Sequence, residues 1–395
     1  MQSHNPPHAG IAALLAMTMA LGPLALDTYL PAFPDIAEFL SVSVHQVSLT
    51  ISVYVFVLAL GQLTGGPLSD RYGRKRIMLS GLAVFSLASL LILQASSLQE
   101  FLLLRALQAF GGGWAAVCVP ALVRDRLSGR EAARFFSLIG LLMVAAPALA
   151  PSIGSLLLTQ FGWLSIFLFI GVYAILVLVM QQQVVFRDYQ RPRHHEPVSV
   201  LSRYKAVINT RPAMRFMAIG TMAFSVMMLF ITHASFIYQE HFGVGPGTFA
   251  LLFGANVVLM LCMNLLNRRL LNRFASERIL RWALTAQGVG IVLLLLVLGL
   301  TAELLPFVLA MVLTIGMLGA VSPNIQACYM EYFREHGGTA AALMGATQFS
   351  VAGLISAASA LLPESVTAIV LAQGACSLLC LALIWTHKPA AAQPA

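Results

Sequence analysis

GQLTGGPLSDRYGRKR, residues 61–76, sets one acid, Asp70, among four bases, Arg71, Arg74, Lys75 and Arg76. Its glycines break the chain into a tight turn, and Asp70 can pair with Arg71 or Arg74. Small residues at Gly66 and Gly73 permit close backbone approach. Apolar runs lie on both sides, near 47–69 and 76–95, each long enough for a helix crossing a bilayer, which needs about 20 apolar residues. This is a charged hinge between two membrane spans.

The rest of the chain follows the same plan. It has 395 residues, 59% hydrophobic and only 10% charged, where a soluble domain carries about 25% charged residues. So few charges cannot build a water-facing surface. Further apolar runs fall near 10–33, 98–122, 135–158, 163–186, 212–238, 248–267, 279–300, 303–328, 339–361 and 365–386, making twelve expected spans. Twelve crossings use about 240 residues, leaving too few for an added catalytic domain. Assigned to alternate sides, every Lys and Arg falls on one side except Arg105, which lies inside a span. The positive-inside rule then places both termini in the cytoplasm. The net charge of +8 therefore reports membrane orientation and does not call for nucleic acid. Met1–Gly10 contains no Lys or Arg and is expected to stay as the leader of the first span. The five cysteines show neither disulfide nor metal-ligand spacing and read as small core residues.

The longest polar stretch, 187–211, reads as a linker between two six-helix bundles, 1–186 and 212–395. Its adjacent His194, His195 and Glu196 cannot easily converge on one ion, so no metal site is expected. The halves share an echo. SDRYGRKRIM (69–78) aligns without gaps on LNRFASERIL (271–280): Arg71 meets Arg273, Tyr72 meets Phe274, Arg76 meets Arg278, and Asn272 replaces Asp70. Internal repeats of this kind mark transporters that rock one half against the other about a midplane site.

Three features inside the spans carry chemistry. Asp27, in GPLALDTYLPAFP (22–34), is a carboxylate where a charge is costly, so it should face the bundle interior and titrate. Helical spacing puts Pro23 and Pro31 on its face, and Pro31 leaves the Asp27 carbonyl without its usual helix donor. The alternative is an acid near the outer interface. Arg105 shares a face with Gln108, Ala109 and Gly112; either it lines a polar cavity or it snorkels to the interface. The run GLLMVAAPALAPSIG (140–154) places Gly140, Pro147, Pro151 and Gly154 on one narrow stripe, which kinks the helix and permits close packing. In the second half, Asn256, Asn264, Asn324, Gln326 and Gln348 are amides inside spans, most of which should bond helix to helix. His233, toward the end of its span, is expected to meet interface water. Tyr29, Gln108, Gly112, Asn256 and Gln348 are the candidates for a substrate cavity.

The hinge resembles the cytoplasmic signature G-x-x-x-D-R-x-G-R-R/K of the major facilitator superfamily, with Gly66, Asp70, Arg71, Gly73, Arg74 and Lys75 at its positions. Together with LDTYLPAFP (26–34), LRALQAFGGG (104–113), VRD (123–125) and APALAPSIG (146–154), it is similar to the Bcr/CflA subfamily of multidrug–proton antiporters. Ala146 and Ser155 depart from that subfamily's usual glycines in the fifth span. The resemblance implies an all-α membrane protein of two pseudo-symmetric six-helix bundles in a bacterial inner membrane. It implies that Asp27 couples to protons, that Arg105 is the buried arginine, and that the hinge gates the rocking of the halves with Asp125 as a latch partner. Met19, two turns before Asp27, is apolar, against a second proton carrier.

No lysine follows a glycine, so the phosphate-cradling Gly-Lys-Ser/Thr loop is missing and energy must come from a gradient. No cofactor is expected. The expected partners are a small-molecule substrate, protons and the lipid bilayer, with the chain a monomer. With Asp27 as the sole acid deep in a span, neutral or zwitterionic cargo is favoured over cations. One Asp with one Arg is too thin a set for an enzyme. A narrow-spectrum porter for a nucleoside, sugar or other metabolite, working even as an importer, is the competing reading.

Overall fold

A computed structural model describes residues 8–126, 129–187, 200–333 and 337–386; side chains at 8–9, 124–134, 136–144, 200–203 and 337–338 lie outside the description. The acid and histidines of the expected linker, His194, His195 and Glu196, also lie outside the described residues.

The helices in chain order are α1 (His8–Asp27), α2 (Phe33–Leu40), α3 (Val44–Tyr72), α4 (Arg74–Leu91), α5 (Leu98–Arg126), α6 (Gly129–Phe161), α7 (Leu164–Met180), α8 (Val200–Ile208), α9 (Arg211–Ser235), α10 (Pro246–Leu270), α11 (Ser276–Leu300), α12 (Leu304–Gly316), α13 (Leu318–Met330), α14 (Gly337–Ala358) and α15 (Val366–Trp385). Among the described residues, 11 helical stretches are long and apolar enough to cross a membrane. The expected fifth span lies on the 33-residue α6.

The first span departs from the continuous helix expected over 10–33. α1 stops at Asp27, a short 3-10 turn spans Leu30–Ala32, and α2 continues to Leu40. Pro31 cannot donate to the Asp27 carbonyl and disfavours helical backbone at Leu30 before it. The break therefore falls where the proline predicts, and the i+4 relation between Asp27 and Pro31 does not form. Short π-helical pieces follow two other helices, at Gln181–Val185 and Phe236–His241.

The chain divides into two compact units, Met1–Pro197 with Thr232–Gly254, and Val198–Ile231 with Ala255–Ala395. In the first, α5 is clamped between α3 and α4 through glycines. A Cβ at Gly111 would sit 2.5 Å from the Gly81 carbonyl, and one at Gly113 would sit 2.6 Å from the Leu58 carbonyl. Without bulk at those positions the helix backbones touch directly, the usual way membrane helices gain packing energy. α7 and the π-helical piece after it hold α1 by hydrogen bonds: Tyr173 Oη donates to the Met17 carbonyl at 3.0 Å, and Gln181 Nε2 to the Leu14 carbonyl at 2.9 Å.

In the second unit α10 meets α13 at Gly319, where a Cβ would run into the Met260 carbonyl. Asn264 Nδ2 donates to the Gly319 carbonyl at 3.3 Å, and Asn324 Nδ2 to Asn267 Oδ1 at 2.6 Å. These two amides do bond helix to helix. Glu277 ties α9 to α11, accepting from Arg215 at 3.5 Å and Arg281 at 3.0 Å. α4 and α11 begin at Arg74 and Ser276, 202 residues apart, so the sequence echo falls on corresponding helix joints. Four of the cysteines are buried as expected; Cys262 is exposed on α10, a correction to its reading as a core residue.

The hinge itself turns on one glycine. Gly73 separates α3 from α4 at φ +97 and ψ 142, a conformation that non-glycine residues adopt at a cost of about 1–3 kcal/mol. Gly66 differs: a Cβ there would meet only Val117, at 3.9 Å. The expectation of close approach at Gly66 and Gly73 is thus corrected, since a Cβ at Gly73 would meet nothing within 4 Å; the tight contact belongs to Gly65, whose Cβ would lie 2.9 Å from the Trp114 ring. Gly73→Ala is expected to lower the unfolding midpoint in lipid nanodiscs by several degrees, while Gly66→Ala leaves it unchanged. Equal effects from the two would refute this assignment.

Candidate functional site

Asp27 and Arg105 are both buried inside the first unit, 3% and 0% exposed. The snorkelling alternative for Arg105 fails on that burial. Arg105 sits between two tyrosine rings, its guanidinium carbon 4.4 Å from the Tyr29 centroid and 4.3 Å from that of Tyr54. A cation held between ring faces is stabilised electrostatically where water is excluded. Its Nη2 donates to the Ala25 carbonyl at 3.0 Å, and its Nη1 donates to Gln108 Oε1.

The hydrogen bonds around this arginine have a definite direction. Ser89 Oγ gives its proton to the Phe85 carbonyl at 2.7 Å, so it accepts from Gln108 Nε2 at 2.7 Å. Thr50 Oγ1 likewise donates to the Val47 carbonyl at 2.7 Å and accepts from Tyr29 Oη at 2.8 Å. Gln108 therefore presents its oxygen to Arg105 because its nitrogen is committed to Ser89. Both ends of its amide are engaged, and its role in the structure is to orient the guanidinium. Gly112, one turn further along α5, is buried; a Cβ there would meet the Phe85 ring at 3.2 Å and Tyr54 Oη at 3.6 Å.

Asp27 takes no part in that network. Among the described residues it forms no ion pair with Arg105, which instead reaches the backbone two residues earlier. Asp27 Oδ1, Thr28 Oγ1, Tyr54 Oη and Arg105 Nε are buried without a hydrogen-bond partner. Buried polar atoms normally are paired, and unpaired ones cost free energy. Asp27 and Thr28 stand at the helix break, where backbone and side chain alike have spare bonding capacity, whereas Tyr54 and Arg105 belong to the ring sandwich. Such a site can exchange a proton or admit a polar ligand.

α6 closes the break from one side. Gly154 faces Thr28 so closely that a Cβ there would occupy the Thr28 carbonyl. Pro151, one turn before it, is buried, and Pro147 is half-buried. The proline–glycine stripe thus packs on the turn that carries Asp27. On another side, Gln239 Nε2 donates to the Leu30 carbonyl at 3.3 Å. His233 is fully buried and stacks on His45 with centroids 5.2 Å apart. The expectation that it meets interface water is corrected, since the ring has another ring for a neighbour.

In the hinge, Arg74 pairs with Asp70 at 3.6 Å, with the acid 63% exposed, a geometry worth little stability by itself. Lys75 Nζ reaches the Phe186 carbonyl at 3.5 Å, joining the hinge to the end of the sixth expected span. Asp125 lies on α5, with its side chain outside the described residues. In the second unit Asn256 is buried, while Gln348 lines a cavity of about 100 Å³.

Tyr54, Thr50, Ser89 and Phe167 belong to the Arg105 surroundings and were not singled out from sequence. Thr50, Tyr54 and Gly61 recur at helical spacing on α3, a polar and small stripe that marks this face. Phe167, 6.0 Å from the guanidinium, left no comparable signal.

A family profile described as Major Facilitator Superfamily matches residues 13–357. The chain belongs to the major facilitator superfamily. It is a multi-pass membrane protein of that transporter family. The chain is 28% identical over 365 residues to a bicyclomycin resistance protein homolog of Haemophilus influenzae, covering 92% of each. It is 27% identical to the multidrug resistance protein MdtL of Citrobacter koseri, covering 94% of each. To a chloramphenicol resistance protein of Pseudomonas aeruginosa it is 28% identical, covering 72% of this chain and 68% of that one. Among solved structures, a D-xylose-proton symporter superposes with TM-score 0.81 at 13% identity, covering 96% of this chain and 98% of the other. A POT family transporter in complex with 5-aminolevulinic acid gives TM-score 0.77 at 11% identity, covering 98% and 96%. At those identities the likeness establishes the major facilitator fold alone.

Proposed function

We propose that this chain is a drug/proton antiporter of the bacterial inner membrane, exporting small, largely apolar neutral or zwitterionic compounds by alternating access. It crosses the membrane twelve times with both termini in the cytoplasm, α6 supplying the fifth crossing. The observation that carries this reading is a buried carboxyl, Asp27, at the break of the first span, two residues after the Ala25 carbonyl that binds a guanidinium fixed between two tyrosines. The names of the relatives, resistance proteins for bicyclomycin, chloramphenicol and multiple drugs, support the choice of cargo.

Asp27 takes a proton from the periplasmic side, and substrate leaves. Loss of the proton to the cytoplasm then favours rebinding of substrate there. Arg105 supplies a positive charge in the same bundle, and each protonation event at Asp27 changes the bundle's charge balance by one unit. The Arg71–Arg74 hinge, with Asp125, latches and releases the halves. Each proton moving inward down a 100 mV potential yields about 2.3 kcal/mol, enough for roughly fifty-fold accumulation.

The test uses energised everted membrane vesicles with internal pH followed by a quenched dye. Adding a transported drug is expected to trigger proton release from the vesicle interior. Silence across a broad panel of drugs, with folded protein present, would turn the reading to a dedicated metabolite porter or an importer.

A further inference from the structure

Gln326 and Gln348 are amides inside spans that show no hydrogen bond among the described residues. With Ser322 they line the cavity of about 100 Å³ among α9, α13 and α14 in the second unit. Among the described residues, none of these three side chains makes a hydrogen bond, in contrast to Asn264 and Asn324 in the same unit, which are bonded between helices. Gln326 and Ser322 are exposed and Gln348 is half-buried, so their polar atoms stay open to whatever enters. At membrane depth an unmatched amide is costly, and a helix–helix seam would have paired it.

The rest of the lining sets the chemistry. Gly220, Ala223, Phe224, Ile325 and Met344 complete the walls, and no charged side chain is among them. Phe224 meets Phe349 edge-on with centroids 5.1 Å apart, making a firm apolar side. At Gly220 a Cβ would lie 2.8 Å from Gln348 Nε2 and 2.9 Å from Met344 Cε, so the glycine keeps the amide free to reach into the cavity. Drug-sized ligands need pockets of about 300–1,000 Å³; this one holds a single functional group.

We propose that this cavity is a subsite for a neutral group carrying a hydrogen-bond donor and acceptor side by side, such as the carboxamide, lactam or hydroxyl-bearing amide of an exported compound. The two glutamines each offer a donor and an acceptor, and the lack of charge selects against ions. The inference rests on the export reading and names the part of the substrate that the second unit recognises.

The probe is radiolabelled chloramphenicol, a neutral molecule with one secondary amide and two hydroxyls, bound to purified protein in lipid nanodiscs. Gln326→Leu and Gln348→Leu are each expected to weaken binding roughly fivefold to tenfold, as the loss of one neutral hydrogen bond does. Gln326→Asn and Gln348→Asn keep an amide and are expected to retain more binding than leucine. Gly220→Ala, which pushes the Gln348 amide, is expected to weaken binding as well. Unfolding midpoints should match the wild type, because no internal bond is lost in the glutamine variants. Wild-type affinity in both leucine variants would overturn the subsite. Failure of the wild type to bind chloramphenicol would overturn it too, and drug-triggered proton release by other compounds would then still uphold the export reading.

Discussion

Asp27→Asn is expected to abolish uphill export in everted vesicles while leaving the folded protein and its capacity for downhill substrate movement intact. The substitution is nearly isosteric, so the packing of the α1 break survives it. What changes is that the side chain no longer gains and loses a proton. Asp27 is 3% exposed with Oδ1 lacking a hydrogen-bond partner, so an amide there meets no ion pair that it would break. If the carboxyl is the coupling group, drug-triggered proton release should fall to the level of empty vesicles. Drug equilibration down its own gradient should persist. Retained proton-driven accumulation in the variant would remove Asp27 from the mechanism, and a variant that fails to fold would instead reveal a structural role for the acid.

Gly154→Ala should come next in severity. A methyl group at 154 would occupy the space of the Thr28 carbonyl, and Thr28 follows Asp27 directly. A side-chain neighbour could rotate aside, but a backbone carbonyl at a helix break can move only by shifting α1 or α6. Overpacking of this sort costs about 1–3 kcal/mol and more when no rotamer relieves it. We expect a lower unfolding midpoint and at least a tenfold loss of export, because the displaced turn carries the acid. Gly22→Ala is the control: nothing lies within 4 Å of a Cβ there, and alanine in a helix is favoured over glycine by roughly 0.5–1 kcal/mol. Wild-type export and stability in Gly154→Ala would mean that α6 does not press on the break.

These two residues show how differently the site was written into the chain. Asp27 stands out in sequence because a carboxylate amid apolar residues contradicts the solvent around it. Gly154 could be placed on a small stripe, yet which helix that stripe touches is a matter of how α6 crosses α1. The same holds for the arginine. Its rarity inside a span was visible, and Gln108 lay on its face by helical spacing. The tyrosines that hold it come from α3 and from the turn after Asp27, far apart in sequence, so no local pattern joins them.

What the sequence by itself determined is the solvent and the segmentation. Hydropathy over about 20 residues and the one-sided distribution of Lys and Arg report where a helix can live, because the bilayer demands internally bonded backbone and excludes charge. The break after Asp27 was likewise written locally, through the missing N–H of Pro31. Only the tertiary structure decided which polar groups inside the spans are satisfied. Asn264 and Asn324 are bonded across helices, whereas Gln326 and Gln348 are left open to a cavity, although all four are amides on apolar helices. A side chain's type sets what it can bond; the crossing of the helices sets whether a partner is within hydrogen-bonding reach.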